Sequence, residues 1–296
     1  MPKLLRFYLI ASFACLALAL PQSRQAKDVK LPRPDDRFAK LDAMRVHYQN
    51  YGKGKEALVF VHGWTCNLTF WKANIPAFVD QTRVIAIDLP GHGESDKPQT
   101  TYSMDLFARA VNAVLEDAQV ERATLVGHSM GTPVIRQFYR KYPAKTRALV
   151  IVDGSLKPFG NPEQMKKFLE TFRGPNYKQT AEGMVSAMVA PVKDKATAAE
   201  IKAAMLSAPQ HVMIGAFEGM LDESIWKEQD KINVPTLAVM AKQPNWTPEY
   251  EKFVRELVPG IDYQVWGGVS HFLMMDEPQK FNDTVLAFLK KNKLTK

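Results

Sequence analysis

Residues 123–131 read ATLVGHSMG, and this short stretch decides the fold. A continuous apolar run ends in Gly127-His128-Ser129-Met130-Gly131, a G-x-S-x-G that directly follows a predicted strand and opens a predicted helix. In that setting the serine sits on a strand-to-helix turn so sharp that only glycine fits two positions to either side. The turn lifts the Ser129 hydroxyl clear of the backbone and sets it near a helix N-terminus, which favours developing negative charge. Ser129 is therefore the candidate nucleophile.

Working outward, ALVFVHGW (57–64), RVIAID (83–88), RALVIVD (147–153) and PTLAVM (235–240) are unbroken apolar runs. Strands that lack polar alternation are buried on both faces, as in a parallel sheet. DYQVW (262–266) closes the series, with helices predicted over 103–118 and 278–291. Strands alternating with helices define an α/β class: a mostly parallel central sheet flanked by helices. Residues 38–52 alternate and read as a hairpin. Residues 155–232 carry no convincing strand, look helical, and hold Met165, Met184, Met188, Met205, Met213 and Met220. They are predicted to form a helical cap inserted into a core of residues 38–154 and 233–296. Methionines there serve core packing or an adaptable apolar surface over the strand ends.

With these elements in place the chain resembles the α/β-hydrolase family from about residue 38 to its C-terminus. The residues stand in family order: His62-Gly63-Trp64 after the third strand, Asp88-Leu89-Pro90-Gly91-His92-Gly93-Glu94-Ser95 after the fourth, the serine elbow after the fifth. A serine at position 129 disfavours haloalkane dehalogenases and epoxide hydrolases, which typically carry aspartate there. A serine also needs a base to take its proton. Of the six histidines, 47, 62, 92, 128, 211 and 271, the resemblance points to His271, in the loop before the final helix. His62, His92 and His128 belong to turns and read as structural. His211 reads as solvent-facing or as a substrate contact. The resemblance assigns the two oxyanion-hole N–H groups to Met130 and Trp64.

The third member of a triad must hold the histidine tautomer and stabilise the imidazolium. The family usually places that carboxylate after the strand 235–240. Here the loop reads Ala241-Lys242-Gln243-Pro244-Asn245-Trp246-Thr247-Pro248-Glu249, without the expected aspartate. Asp153 is the favoured substitute. It ends the preceding strand, 24 residues after Ser129, and some haloalkane dehalogenases of the family carry their acid at that strand end. Glu249, or no acid at all, are the alternatives.

The expected reaction is hydrolysis of a carboxylic ester or lactone through an acyl-enzyme on Ser129, with His271 as general base. The expected partner is a small acyl substrate in an apolar pocket, for which Trp64, Phe70, Trp71, Phe272, Leu273 and Met274 are candidates. The same triad serves carbon–carbon bond hydrolases, aminopeptidases and cofactor-free haloperoxidases, and some family members are non-catalytic binding proteins. No cofactor and no metal are expected: neither G-x-G-x-x-G nor a P-loop is present, and no metal-ligand cluster stands out.

The ends carry different information. Residues 1–7 hold Lys3 and Arg6 and no acid, and YLIASFACLALAL (8–20) is uncharged for 13 residues. That pattern, with small residues at Ala17 and Ala19, predicts a secretory signal over residues 1–19 and export to the periplasm or medium. The run is short for a membrane span. Residues 20–37 are polar and proline-bearing and are expected to form a flexible leader. The 296-residue chain has 46% hydrophobic and 24% charged residues, which excludes a disordered or disulfide-stapled chain. Its net charge of +8 falls to +6 once Lys3 and Arg6 are gone, and much of it lies at the two ends. No nucleic-acid partner is expected. Of Cys15 and Cys66 only the second would survive cleavage, so no internal disulfide is expected.

Overall fold

The computed structural model describes residues 33–158, 160–227 and 230–295. The expected signal, and the leader as far as residue 32, lie outside the described residues. In chain order the elements are β1 (Asp35–Leu41), β2 (Met44–Tyr51), β3 (Glu56–Val61), β4 (Arg83–Ile87), α1 (Met104–Asp117), β5 (Arg122–His128), α2 (Gly131–Lys141) and β6 (Thr146–Val152). Then follow α3 (Pro162–Thr171), α4 (Tyr177–Val189), α5 (Lys195–Leu206), α6 (Gln210–Leu221) and α7 (Ser224–Lys227). β7 (Thr236–Ala241), α8 (Pro248–Leu257), β8 (Asp262–Trp266), α9 (Leu273–Asp276) and α10 (Pro278–Lys291) complete the chain.

The strands form one sheet in the order β1-β2-β4-β3-β5-β6-β7-β8. β1, β2 and β4 pair antiparallel; from β4 through β3 to β8 the pairing is parallel. The apolar runs that lacked alternation are the central strands: every residue of β4 and β7, and all but the first of β3 and β5, is buried. Phe60 on β3 shows how they are covered, its ring lying 4.8 Å from that of Trp71 and 5.7 Å from that of Phe78. Truncating such a buried ring to alanine costs about 3–5 kcal/mol.

The leader ends sooner than the sequence reading places it, because Asp35, Asp36 and Arg37 already belong to β1. β1 is an edge strand, and an edge accepts charged side chains that a central strand would exclude. Asp36 meets His47 of β2, and Arg37 reaches Asp117 at the end of α1. Helix α1 is set by Ser103, whose hydroxyl accepts from the Leu106 N–H at 3.1 Å, and it buries Phe107, Val111 and Val114. Between β6 and β7 the described residues form only helices, α3 to α7, as the absence of a strand pattern predicts. None of the described helices is long and apolar enough to cross a membrane.

What matters for function is the reversal of strand order at β3. The chain steps from β3 outward to β4, then returns to β5 on the other side, so the carboxyl ends of β3 and β5 border an open crevice. In α/β sheets this switch point is where ligands bind.

Candidate active site

Ser129 follows β5 directly and holds a left-handed backbone, φ +52°. For a residue with a Cβ that conformation is strained and must be held by its surroundings. Here the Ser129 N–H donates to the Val152 carbonyl at 3.0 Å, and its own carbonyl accepts from Thr132 N–H at 2.9 Å. The flanking glycines are required by contact. A Cβ on Gly127 would stand 2.5 Å from the Gly131 carbonyl oxygen, and one on Gly131 would stand 2.5 Å from that of Val61. Both are backbone atoms that cannot step aside, so the turn closes only with glycine at its two ends.

His271 lies in the loop before α9, and its Nδ1–H donates to Asp153 Oδ2 at 2.6 Å. Asp153 sits one residue past the end of β6, is fully buried, and is left-handed at φ +44°. Its carboxylate accepts three more hydrogen bonds, from the Ala241 N–H (2.8 Å), Gln243 Nε2 (2.6 Å) and Trp246 Nε1 (2.8 Å). Glu249, the competing carboxylate, is exposed in the first turn of α8 and does not line the crevice. The two strand ends, β6 and β7, are neighbours in register, which is why a carboxylate on one reaches an imidazole approached from the other.

His128 lies next to Ser129 in the chain. Burial, and next the neighbouring His271 ring, hold it well below the usual histidine range, so it is neutral. Its Nε2–H donates to the His271 carbonyl at 2.9 Å, and its Nδ1 is buried with no partner. His128 thus ties down the loop that carries His271. His62 is neutral for the same reason of burial: its Nδ1–H donates to the Gly63 carbonyl, and its Nε2 accepts from Leu89 N–H. His92, pulled down to about 3 by burial and by His62 beside it, donates to the Pro90 carbonyl. His211 bonds the Lys97 carbonyl and lies outside the crevice.

A cavity of about 210 Å³ opens over the strand ends, and Ser129, His271, Asp153, Trp64 and Met130 all line it. The backbone N–H groups of Trp64 and Met130 donate no hydrogen bond to the described residues. The Trp64 indole instead donates to the Met213 carbonyl at 2.8 Å, joining the β3 loop to α6 of the insertion. The rest of the wall comes largely from that insertion: Met184 and Met188 of α4, Phe217 and Met220 of α6, and Trp226 of α7. Three of the six methionines in the stretch therefore face the cavity, whereas Met205 and Met213 are buried in the core.

The apolar residues expected to line the pocket divide. Trp64 does so, but Phe70, Trp71, Phe272, Leu273 and Met274 are core residues away from it. Trp71 packs between Phe60 and Phe281, and Phe70 packs against Phe272. Proximity to a turn in sequence does not say which side of the sheet a ring falls on, and here they fill the helix layer. Phe217, Trp226, Gln243 and Trp246 were missed. Only the loop 241–249, which lacks the expected aspartate, carries a signal for the last two. Among the described residues, no cluster of three or more His, Cys, Asp or Glu is placed to hold a metal.

The parallel sheet, the strained serine at the switch point and the His271–Asp153 pair define a class of protein: the chain belongs to the alpha/beta hydrolase fold family. Residues 56–189 match the family model for that fold. The chain is 28% identical over 273 residues to the non-heme chloroperoxidase CPO-A1 of Kitasatospora aureofaciens, covering 84% of this chain and 98% of that protein. It is 30% identical over 275 residues to a 2-hydroxy-6-oxononadienedioate/2-hydroxy-6-oxononatrienedioate hydrolase of Burkholderia vietnamiensis, covering 84% and 92%. Among solved structures it is similar to Est816, an N-acyl homoserine lactone degrading enzyme, at 27% identity and TM-score 0.73 over 85% of this chain and all of that one.

Proposed function

We propose that this hydrolase cleaves a neutral carboxylic ester or lactone through an acyl-enzyme on Ser129. The observation that carries the reading is the His271–Asp153 hydrogen bond of 2.6 Å, opening into the same apolar cavity as Ser129. With Nδ1–H given to Asp153, His271 keeps Nε2 unprotonated and free to take the Ser129 proton as Oγ attacks the carbonyl carbon. The N–H groups of Trp64 and Met130 receive the charge that forms on the carbonyl oxygen. His271 then returns its proton to the departing alkoxide, and a water activated by the same nitrogen releases the acid and restores Ser129.

The relatives differ in chemistry, and the cavity wall favours a neutral substrate over a dianionic one. Among the described residues no Lys or Arg lines it. A dioate substrate, such as the Burkholderia relative's name implies, would enter without a counter-cation, which an apolar wall penalises. A neutral acyl group meets methionine and aromatic surface instead, and the similarity to a lactone-degrading enzyme supports the same substrate class. The test is release of p-nitrophenol from p-nitrophenyl acetate and butyrate, with an acyl homoserine lactone in parallel. Activity lost in Ser129→Ala supports the reading; no release above background in the wild type refutes it. We propose, from the pattern of residues 1–19, that the enzyme is exported. Recovery of the mature protein with Met1 still attached would refute that.

A further inference from the structure

Asp153 is fully buried, and a buried carboxylate must have its lone pairs occupied by donors. It has four: His271 Nδ1 and Gln243 Nε2 each lie 2.6 Å from Oδ2, and the Ala241 N–H and Trp246 Nε1 each lie 2.8 Å from Oδ1. The Ala241 bond comes with the sheet. The other two come from side chains in the loop after β7, where the family's usual carboxylate is missing. We propose that Gln243 and Trp246 are positioning residues that clamp the displaced Asp153 carboxylate against His271. This rests on the triad reading above.

The clamp fits its task in three respects. Both donors are neutral, so they occupy lone pairs without an ion pair that would compete with the imidazolium. They grip both oxygens, so the carboxylate cannot rotate out of line with Nδ1. Trp246 is itself anchored: its ring lies 4.9 Å from that of Tyr250, whose hydroxyl accepts from the Leu156 N–H at 3.0 Å, three residues past Asp153. The loop that lacks the family's usual carboxylate thus supplies two donors to Asp153.

The positive ends of these two dipoles point at Asp153 and weaken its pull on a proton at His271. Removing either should raise the pH at which His271 titrates. The other groups around the pair leave that sign unopposed. His128, from β5, is neutral. Tyr250 and Tyr263 are neutral phenols, kept protonated by burial and by the Asp153 charge. Asp276 of α9 is engaged by the Ser270 N–H, and Lys193 and Glu277 pair 4.0 Å apart.

The experiment is a ¹⁵N-histidine NMR titration of full-length wild type, Trp246→Phe and Gln243→Met, with His271 assigned from the peak missing in His271→Gln. Each variant keeps the bulk of the original side chain and removes its donor. The expected result is a higher midpoint for His271 in each variant than in the wild type. Midpoints unchanged or lowered in both variants overturn the clamp. The readout needs no turnover, so it stands apart from the Ser129→Ala test of the hydrolase reading.

Discussion

Asp153→Asn is the sharpest perturbation the site offers, because the four donors around this carboxylate dictate what an amide there must do. The amide has one oxygen and one NH₂ group, so one pair of donors will face another donor. The Ala241 N–H and the Trp246 indole on Oδ1 cannot reverse, so the amide oxygen belongs with them. The NH₂ group then faces Gln243 and His271. Gln243 can turn its own amide to offer an oxygen. His271 can adapt only by moving its proton from Nδ1 to Nε2, the nitrogen needed to take the proton of Ser129. The variant should therefore fold with nearly unchanged geometry while holding the wrong tautomer, a change that lowers kcat by about 10⁴-fold, equivalent to about 5 kcal/mol of transition-state stabilisation. The assay is kcat for p-nitrophenyl butyrate against a Ser129→Ala floor, with urea unfolding run beside it to show that the loss is not one of folding. Turnover within tenfold of wild type, in a folded protein, would refute the assignment of Asp153, and a matching loss in Glu249→Gln would move it to that residue.

Three further outcomes follow from the same structure. Gly131→Ala should destabilise the protein by roughly 1–3 kcal/mol or more in urea unfolding, since its Cβ would stand 2.5 Å from the Val61 carbonyl oxygen; a shift below about 0.5 kcal/mol would show that the elbow can relax. The buried His47, bonded to Asp88 at 2.7 Å and to Asp36 at 3.2 Å, gives a pH-dependent term. Burial opposes its cation, but the two aspartates outweigh burial and raise it above 6.5, so its contribution is full below pH 6.5 and is lost as pH rises through the raised value. The stability gap between wild type and His47→Gln should accordingly be larger near pH 6 than near pH 9; an equal gap would show that His47 is neutral in the fold. Joint replacement of Met184 and Met188 by alanine removes one wall of the cavity and should improve an octanoyl ester relative to a butyryl ester by about tenfold in kcat/KM, whereas an unchanged ratio would place the acyl chain elsewhere.

The parts of this protein that could be read from sequence are those whose cause is local. The elbow is legible because its steric demands fall on Gly127 and Gly131, beside the serine they serve. The core strands are legible because burial on both faces leaves an unbroken apolar run, and α10 begins and ends where its sequence pattern places it, over residues 278–291. The early start of β1 was hidden because an edge strand does not need apolar residues, so Asp35 to Arg37 look like a leader.

The acid and the pocket belong to the tertiary structure. Asp153 lies 118 residues from the imidazole it meets, and its other side-chain donors, Gln243 and Trp246, lie 90 and 93 residues away. Sequence favours Asp153, with Glu249 or no acid as the alternatives, but only the adjacency of the β6 and β7 ends brings Asp153 to His271 and leaves Glu249 exposed in α8. The cavity wall was likewise undecided, because a methionine or tryptophan in an amphipathic helix fits core and pocket equally well. Which way Met184, Met188 and Trp226 face depends on how the inserted helices rest on the strand ends, a matter of long-range packing that no short stretch of chain encodes.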